Sequence, residues 1–149
     1  MRYIGIDIGA TWIKSAILDE GGVRHRHAVR FPPFLPAKDA RKKEVRLSDV
    51  VAAVQEEITA LSTPYHQPID GVAMTGQMGG YAIFDCDVWV SWQDRRECRV
   101  FDINASHIAQ CVADEIGLKL PFSPPGDHHC AQFGAGLRPN EVSLNIGTG

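Results

Sequence analysis

Tyr3-Ile4-Gly5-Ile6-Asp7-Ile8-Gly9-Ala10-Thr11-Trp12-Ile13-Lys14 is the stretch that decides how this chain is read. Ile4, Ile6 and Ile8 recur at every second position, the period of a half-buried strand. Gly9 and Ala10 interrupt the pattern, and a second strand follows over Thr11 to Leu18. Gly21-Gly22 makes another turn, and Val23 to Phe31 reads as a third strand. On it Arg24, Arg26 and Arg30 share one face, while His25 and His27 share the other; both sets suit a solvated sheet surface. The chain therefore opens as an antiparallel meander. That excludes the immediate strand–helix alternation of a dinucleotide-binding fold.

The turn within this stretch carries chemistry. Gly9 lets the backbone turn tightly and approach a ligand without a Cβ clash. Successive N–H groups in such a turn can form an anion-binding concavity. Thr11 adds a hydroxyl and Lys14 a positive charge near phosphate oxygens, and Asp7, at the strand end, can hold magnesium directly or through water. This is the equipment of phosphoryl transfer, where catalysis is mainly positioning and charge neutralisation. A Gly-containing hairpin with an incidental Asp is the plainer alternative.

Working outward, residues 31 to 43 read as a proline-rich and then basic connection, with Pro32, Pro33, Pro36 and Arg41-Lys42-Lys43. A helix follows, with Ser48 placed to cap it and an apolar stripe of Leu47, Val50, Val51, Val54, Ile58 and Leu61. Pro64 and Pro68 fence off a strand from Ile69 to Thr75. Tyr81 to Phe84 and Val88 to Ser91 read as a hairpin. A second helix runs from about Arg96 to Ile116 and ends at Gly117. After Leu120-Pro121-Phe122-Ser123-Pro124-Pro125 come a short helix-like stretch, Ala131 to Leu137, and a strand, Glu141 to Ile146.

Three further groups follow strand ends, where binding residues collect. Met74-Thr75-Gly76-Gln77-Met78-Gly79-Gly80 and Ser91-Trp92-Gln93-Asp94-Arg95-Arg96 offer an apolar Trp wall with directional donors and acceptors, which suits a polyol. Trp92 could equally be a core residue beside a helix N-terminus. In Gly126-Asp127-His128-His129-Cys130, Asp127 is a candidate general base for a hydroxyl or a helix N-cap. Adjacent His128, His129 and Cys130 point in different directions on a helix and lack metal-ligand spacing. Ser143-Leu144-Asn145-Ile146-Gly147-Thr148-Gly149 is a second strand running into a Gly-Thr-Gly turn, able to hold phosphates from the other side.

The bulk properties agree with one compact domain. Of 149 residues, 44% are hydrophobic and 22% charged, ordinary for a soluble globular chain. The formal net charge of -3 gives no basic surplus for nucleic acid. No window has the apolar length of a membrane span. Cys86, Cys98, Cys111 and Cys130 form no C-x-x-C, and no signal peptide precedes the first strand. They read as reduced thiols of a cytoplasmic protein.

Taken together, these strings resemble the FGGY family of carbohydrate kinases, in the actin-like ATPase superfamily. Tyr3 to Lys14 looks like its first phosphate motif. Thr75 to Gly80 and Trp92-Gln93-Asp94-Arg95 look like the sugar-side motifs of xylulokinase-like and sedoheptulokinase-like members. Gly126-Asp127 followed by Ala131 looks like the stretch with the catalytic Asp, and Ser143 to Gly149 like the second phosphate motif. The resemblance implies an α/β, ribonuclease-H-like domain with a mixed sheet, three antiparallel strands first. It implies transfer of the ATP γ-phosphate to a sugar hydroxyl. Asp127 would take the proton and Asp7 would organise Mg2+. Gly9, Thr11, Lys14, Gly147, Thr148 and Gly149 would surround phosphates, and Gln77, Met78, Trp92, Asp94 and Arg95 would line the sugar site.

Two departures stand out. Where Gly79 stands, these members usually have a His, and only Leu118 to Pro125 intervenes before the Gly-Asp motif, where the family has a long stretch of helices and strands. The expectation is an N-terminal kinase domain over residues 1–140, shortened near 118–125. Residues 141–149 would be the first strand and phosphate turn of a second domain, and the chain alone would not be a competent kinase. Expected partners are a small-molecule sugar or polyol and a second kinase domain or another copy of the chain, with neither nucleic acid nor membrane. The alternative is a non-catalytic module, derived from a kinase half, that binds a sugar or a partner chain.

Overall fold

The computed structural model describes residues 1–64, 68–77, 79–83, 86–96 and 108–120. The elements are β1 (Tyr3–Ile8), β2 (Trp12–Asp19), β3 (Gly22–Arg30), β4 (Glu44–Arg46), α1 (Leu47–Ser62), β5 (Gly71–Gly76), β6 (Tyr81–Ile83), β7 (Val88–Val90) and α2 (Ile108–Glu115). It is an α/β fold built on a mixed sheet.

The main sheet has the order β3-β2-β1-β5. β1 pairs antiparallel with β2 and parallel with β5, and β2 pairs antiparallel with β3. Alternation assigns the two faces. Ile4, Ile6 and Ile8 lie opposite Ile17, Ser15 and Ile13 on β2, and beside Val72, Met74 and Gly76 on β5. The large apolar members of this set are buried, and α1 and α2 pack over them. On the other face stand Tyr3, Gly5 and Asp7, Lys14, Ala16 and Leu18, and Ala73 and Thr75. Tyr3 and Leu18 remain exposed there. Both ends of the β1–β5 pairing are tied: Arg2 N–H donates to Asp70 Oδ2 at 2.6 Å at the start, and Gln77 N–H to Ile8 O at 2.9 Å at the end.

α1 carries its apolar residues at helical spacing and buries Leu47, Val50, Val54 and Leu61, with Val51 and Ile58 partly buried. Glu57 falls on the same stripe and is fully buried. It lies between Ser15 Oγ, which donates to its Oε2, and His27 Nδ1, which shares a 2.6 Å hydrogen bond with its Oε1. His27 is exposed, as a polar sheet surface implies, and it also partners the buried carboxylate, because register places it beside Ser15 on the helix-facing side of β3. The start of α1 also departs from expectation. Its N-cap is Arg46, which makes no side-chain capping bond. Ser48 donates instead, from N–H and Oγ, to the carboxylate of Asp87, at 2.7 and 2.5 Å. Asp87 sits before β7 with φ 51° and so caps the helix from a distant turn.

A second, three-stranded sheet has the order β4-β7-β6, antiparallel throughout. β4 lies directly before α1, where the sequence suggested only the end of a loop. α2 is described from Ile108, and Gly117, at φ 66°, follows its last turn. Arg96, the expected start of that helix, is a bend; residues 97–107, the helix-like stretch 131–137 and the strand 141–146 lie outside the described residues.

Candidate functional site

Cross-strand register brings three polar side chains into one row at the end of the main sheet. Asp7 is directly opposite Lys14 on β2 and directly beside Thr75 on β5. All three project from the face away from α1. Lys14 Nζ stands 3.9 Å from Asp7 Oδ2, with both side chains partly in solvent. In open α/β sheets, ligands bind outside the carboxyl ends of parallel strands, and Asp7 and Thr75 occupy that end of the parallel β1–β5 pair.

The β1–β2 turn closes this end. Gly9 N–H donates to Trp12 O at 3.1 Å, so this donor belongs to the hairpin and not to an anion site. A Cβ at Gly9 would lie 2.9 Å from Trp12 O, and only glycine lets the turn fold this tightly. Thr11 is exposed at the tip, with its carbonyl taking the N–H of Phe31. Arg30 stacks on Trp12, 4.1 Å from the ring centroid, beside the row.

The donor set fits magnesium and phosphate. Mg2+ is held by one or two carboxylates together with substrate phosphates and water, and Asp7 supplies a hard oxygen ligand beside an ammonium. Among the described residues, no three of His, Cys, Asp and Glu converge into a metal cage. A metal at Asp7 would share its coordination with ligands beyond these side chains.

The second cluster lies on the loops that follow β5 and β7. Gln77 is buried, and neither its Nε2 nor its Oε1 has a hydrogen-bond partner among the described residues. Gly79 and Gly80 both have positive φ, 77° and 85°. A Cβ on Gly79 would meet Trp92 Cβ at 3.1 Å. Any side chain here, including the His common in the resembling family, would need both a left-handed backbone and a shift of Trp92. Trp92 is partly exposed beside this turn.

Asp94 and Arg95 follow Trp92 but face different tasks. The Asp94 carboxylate accepts from Arg96 Nε and Nη2, from Arg96 N–H and from Lys43 N–H, the last at 2.8 Å. The Arg96 guanidinium, aided by the two backbone N–H groups, holds its carboxyl well below the usual range against the opposing effect of burial. Arg96 also donates to Glu44 at 2.6 Å, and Lys42 pairs with Glu44 at 2.9 Å. Burial pushes Glu44 up, but these two cations outweigh it and its carboxyl is lowered. The network ties the Trp92 loop to the strand β4. Arg95 is exposed, and its N–H donates to Arg41 O at 3.0 Å.

Met78, Asp127, Gly147, Thr148 and Gly149 lie outside the described residues, as does the proposed boundary between residues 140 and 141. Thr75 stands within the Thr75–Gly80 motif without a role assigned by sequence. The signal was available: parallel pairing of the two apolar strands puts Thr75 level with Asp7. A cavity of about 450 Å3 lies at the other end of the sheet, among Met1, Arg2, Asp19, Glu20, Arg24 and Asp70. Its Arg24 is engaged by Asp19 at 2.8 Å and its Asp70 by Arg2 N–H. It is remote from the Asp7 row.

The fold is one found in sugar kinases of known structure. A xylulose kinase from Lactobacillus acidophilus matches at a TM-score of 0.54 and 23% identity, over 62% of this chain and 20% of its own. A gluconate kinase from the same organism matches with the same figures. A xylulose kinase from Rhodospirillum rubrum matches at 0.55 and 16% identity, over 64% of this chain and 21% of its own. The chain thus spans about a fifth of the length of these structures. No family model matches the sequence, and no curated protein matches it. No helix among the described residues is long and apolar enough to cross a membrane.

Proposed function

We propose that this chain carries the phosphate and acceptor sites of an ATP-dependent sugar kinase of the FGGY type, on a ribonuclease-H-like domain of the actin-like ATPase superfamily. The observation that carries the reading is the row Lys14–Asp7–Thr75 at the carboxyl end of a parallel strand pair. The sugar-kinase fold of the structural neighbours supports it. Bound magnesium nucleotide supplies the transferable phosphoryl group and charge neutralisation. Asp7 holds the metal. Lys14 and Thr11 would meet the phosphate oxygens, with the compact Gly9 turn between them, and Gly147, Thr148 and Gly149 would supply the second phosphate motif.

Gln77, Met78, Trp92, Asp94 and Arg95 form the acceptor side. Trp92 gives the apolar wall and Gln77 an amide able both to donate and to accept. Asp94 acts through the Arg96 clamp that fixes the loop. Asp127 takes the proton of the acceptor hydroxyl as its oxygen bonds to phosphorus and the bond to the departing nucleotide breaks. In this reading residues 1–140 are the first kinase domain and 141–149 open a second, so full turnover depends on that second domain, and the setting is cytoplasmic.

The second reading is a non-catalytic module, derived from a kinase half, that binds a sugar or a partner chain. Titration with a panel of ketoses and polyols separates the two. The indole resonance of Trp92 is followed by NMR, and ADP release is measured with magnesium-ATP and the same sugars. A sugar that moves Trp92 and drives ADP release supports the kinase. A sugar that moves Trp92 without turnover supports the module. Indifference of Trp92 to every sugar overturns the acceptor site.

A further inference from the structure

Two side chains beside the Gly79–Gly80 pair hold polar atoms that find no partner among the described residues. Gln77 is 3% exposed and Trp89 is 1% exposed, yet neither the Gln77 amide nor Trp89 Nε1 has a hydrogen-bond partner. Buried tryptophan N–H groups and amides are normally paired, so two orphans around one turn need a reason. Trp89 is the middle residue of β7, opposite Ala82 on β6 and Val45 on β4. A Cβ on Gly80 would lie 3.0 Å from Trp89 Cζ2 and 3.2 Å from Cε2, the ring carbons on the Nε1 side. The Gly80 backbone is therefore packed against the indole at the ring carbons nearest Nε1. Gly79 touches Trp92 in the same way, so each glycine meets one tryptophan.

We propose that the acceptor site extends inward past Trp92, and that Trp89 Nε1–H is a specificity-determining donor to a hydroxyl of a neutral polyol or ketose. The inference rests on the acceptor-site reading above and adds to it one specificity-determining residue. A hydroxyl can accept from the indole and exchange both donor and acceptor bonds with an amide such as Gln77. A carboxylate or phosphate set against the Trp89 indole and the Gln77 amide would be desolvated by two neutral groups at a large cost. The site thus selects neutral polyhydroxy ligands over sugar acids.

The test uses the 15N-labelled 149-residue chain, whose three tryptophans give three indole resonances. These are assigned with Trp12→Phe, Trp89→Phe and Trp92→Phe. Neutral ketoses and polyols are titrated beside the corresponding aldonic acids. The Trp89 resonance is expected to move with the same concentration dependence as that of Trp92, for neutral ligands only, while Trp12 stays fixed. Trp89→Phe is expected to weaken binding about tenfold, read at Trp92. Movement of Trp92 without Trp89, or equal response to the acids, overturns the inference while leaving the acceptor site standing. Movement of neither tryptophan removes both. If Trp89→Phe does not fold, the resonances of the unsubstituted chain, assigned by elimination from the other two variants, decide.

Discussion

Glu57, fully buried on α1, shares a 2.6 Å hydrogen bond with His27 on the edge strand β3. Its other oxygen accepts from Ser15 on β2, so one carboxylate fastens the helix to two strands of the main sheet. Glu57→Ala leaves Ser15 Oγ buried without its partner and opens a cavity, a loss of about 3 kcal/mol. Removing Ser15 as well, in Ser15→Ala/Glu57→Ala, should restore part of that loss, because no orphaned hydroxyl remains. Urea unfolding of the two single variants and the double variant measures the coupling, expected at about 1 kcal/mol or more. Strict additivity would mean that the Ser15–Glu57 bond contributes nothing.

Asp94 gives the fold an acid-sensitive joint. Its carboxyl is held well below the ordinary value of 3.8, first by Arg96 and then by backbone N–H groups. The folded chain binds fewer protons at this site than the unfolded chain. The stability it contributes is complete above the unfolded value and is lost as pH falls from there through the depressed folded value. Asp94→Asn should cost about 2 kcal/mol at neutral pH. The difference between native and variant should shrink as pH drops from about 5 towards 2, followed by urea midpoints at each pH. Parallel curves across that window would contradict the assignment.

Gly80 and Gly79 should respond unequally to alanine. Both need a left-handed backbone, costing an ordinary residue about 1–2 kcal/mol. At Gly79 the added Cβ meets Trp92 Cβ at 3.1 Å, which a small shift relieves. At Gly80 it falls 2.4 Å from Val90 O, which is fixed in β7. Gly80→Ala should therefore lose clearly more stability than Gly79→Ala in thermal unfolding, and the reverse order would show that the turn does not lie on β7 as described.

Much of this architecture was legible from residue order. The isoleucine alternation located β1, and the spacing of Val50, Val54 and Leu61 located α1. Glu57 stands at the next stripe position after Val54, but a charged residue there is invisible to a rule that counts apolar side chains. β4 has three residues, too few for a period, and exists because β7 pairs with it. Ser48 looks like a cap by composition, whereas Asp87 supplies the carboxylate from a turn 39 residues away. In the candidate site, Asp7 and Lys14 were readable because they flank one hairpin. Thr75 needed the parallel pairing, and Trp89 needed knowledge of which buried N–H lacks a partner.

The most direct measurement is a calorimetric titration of the chain with ATP, with and without Mg2+, beside Asp7→Asn. The account predicts weak binding that strengthens with magnesium. In Asp7→Asn the magnesium-dependent part should fall about tenfold, because an amide is a poor Mg2+ ligand, while binding of metal-free ATP is kept. Equal affinity of the native chain and Asp7→Asn for magnesium-ATP, or native binding indifferent to Mg2+, would contradict the claim that the Asp7–Lys14 end of the sheet is a kinase phosphate site.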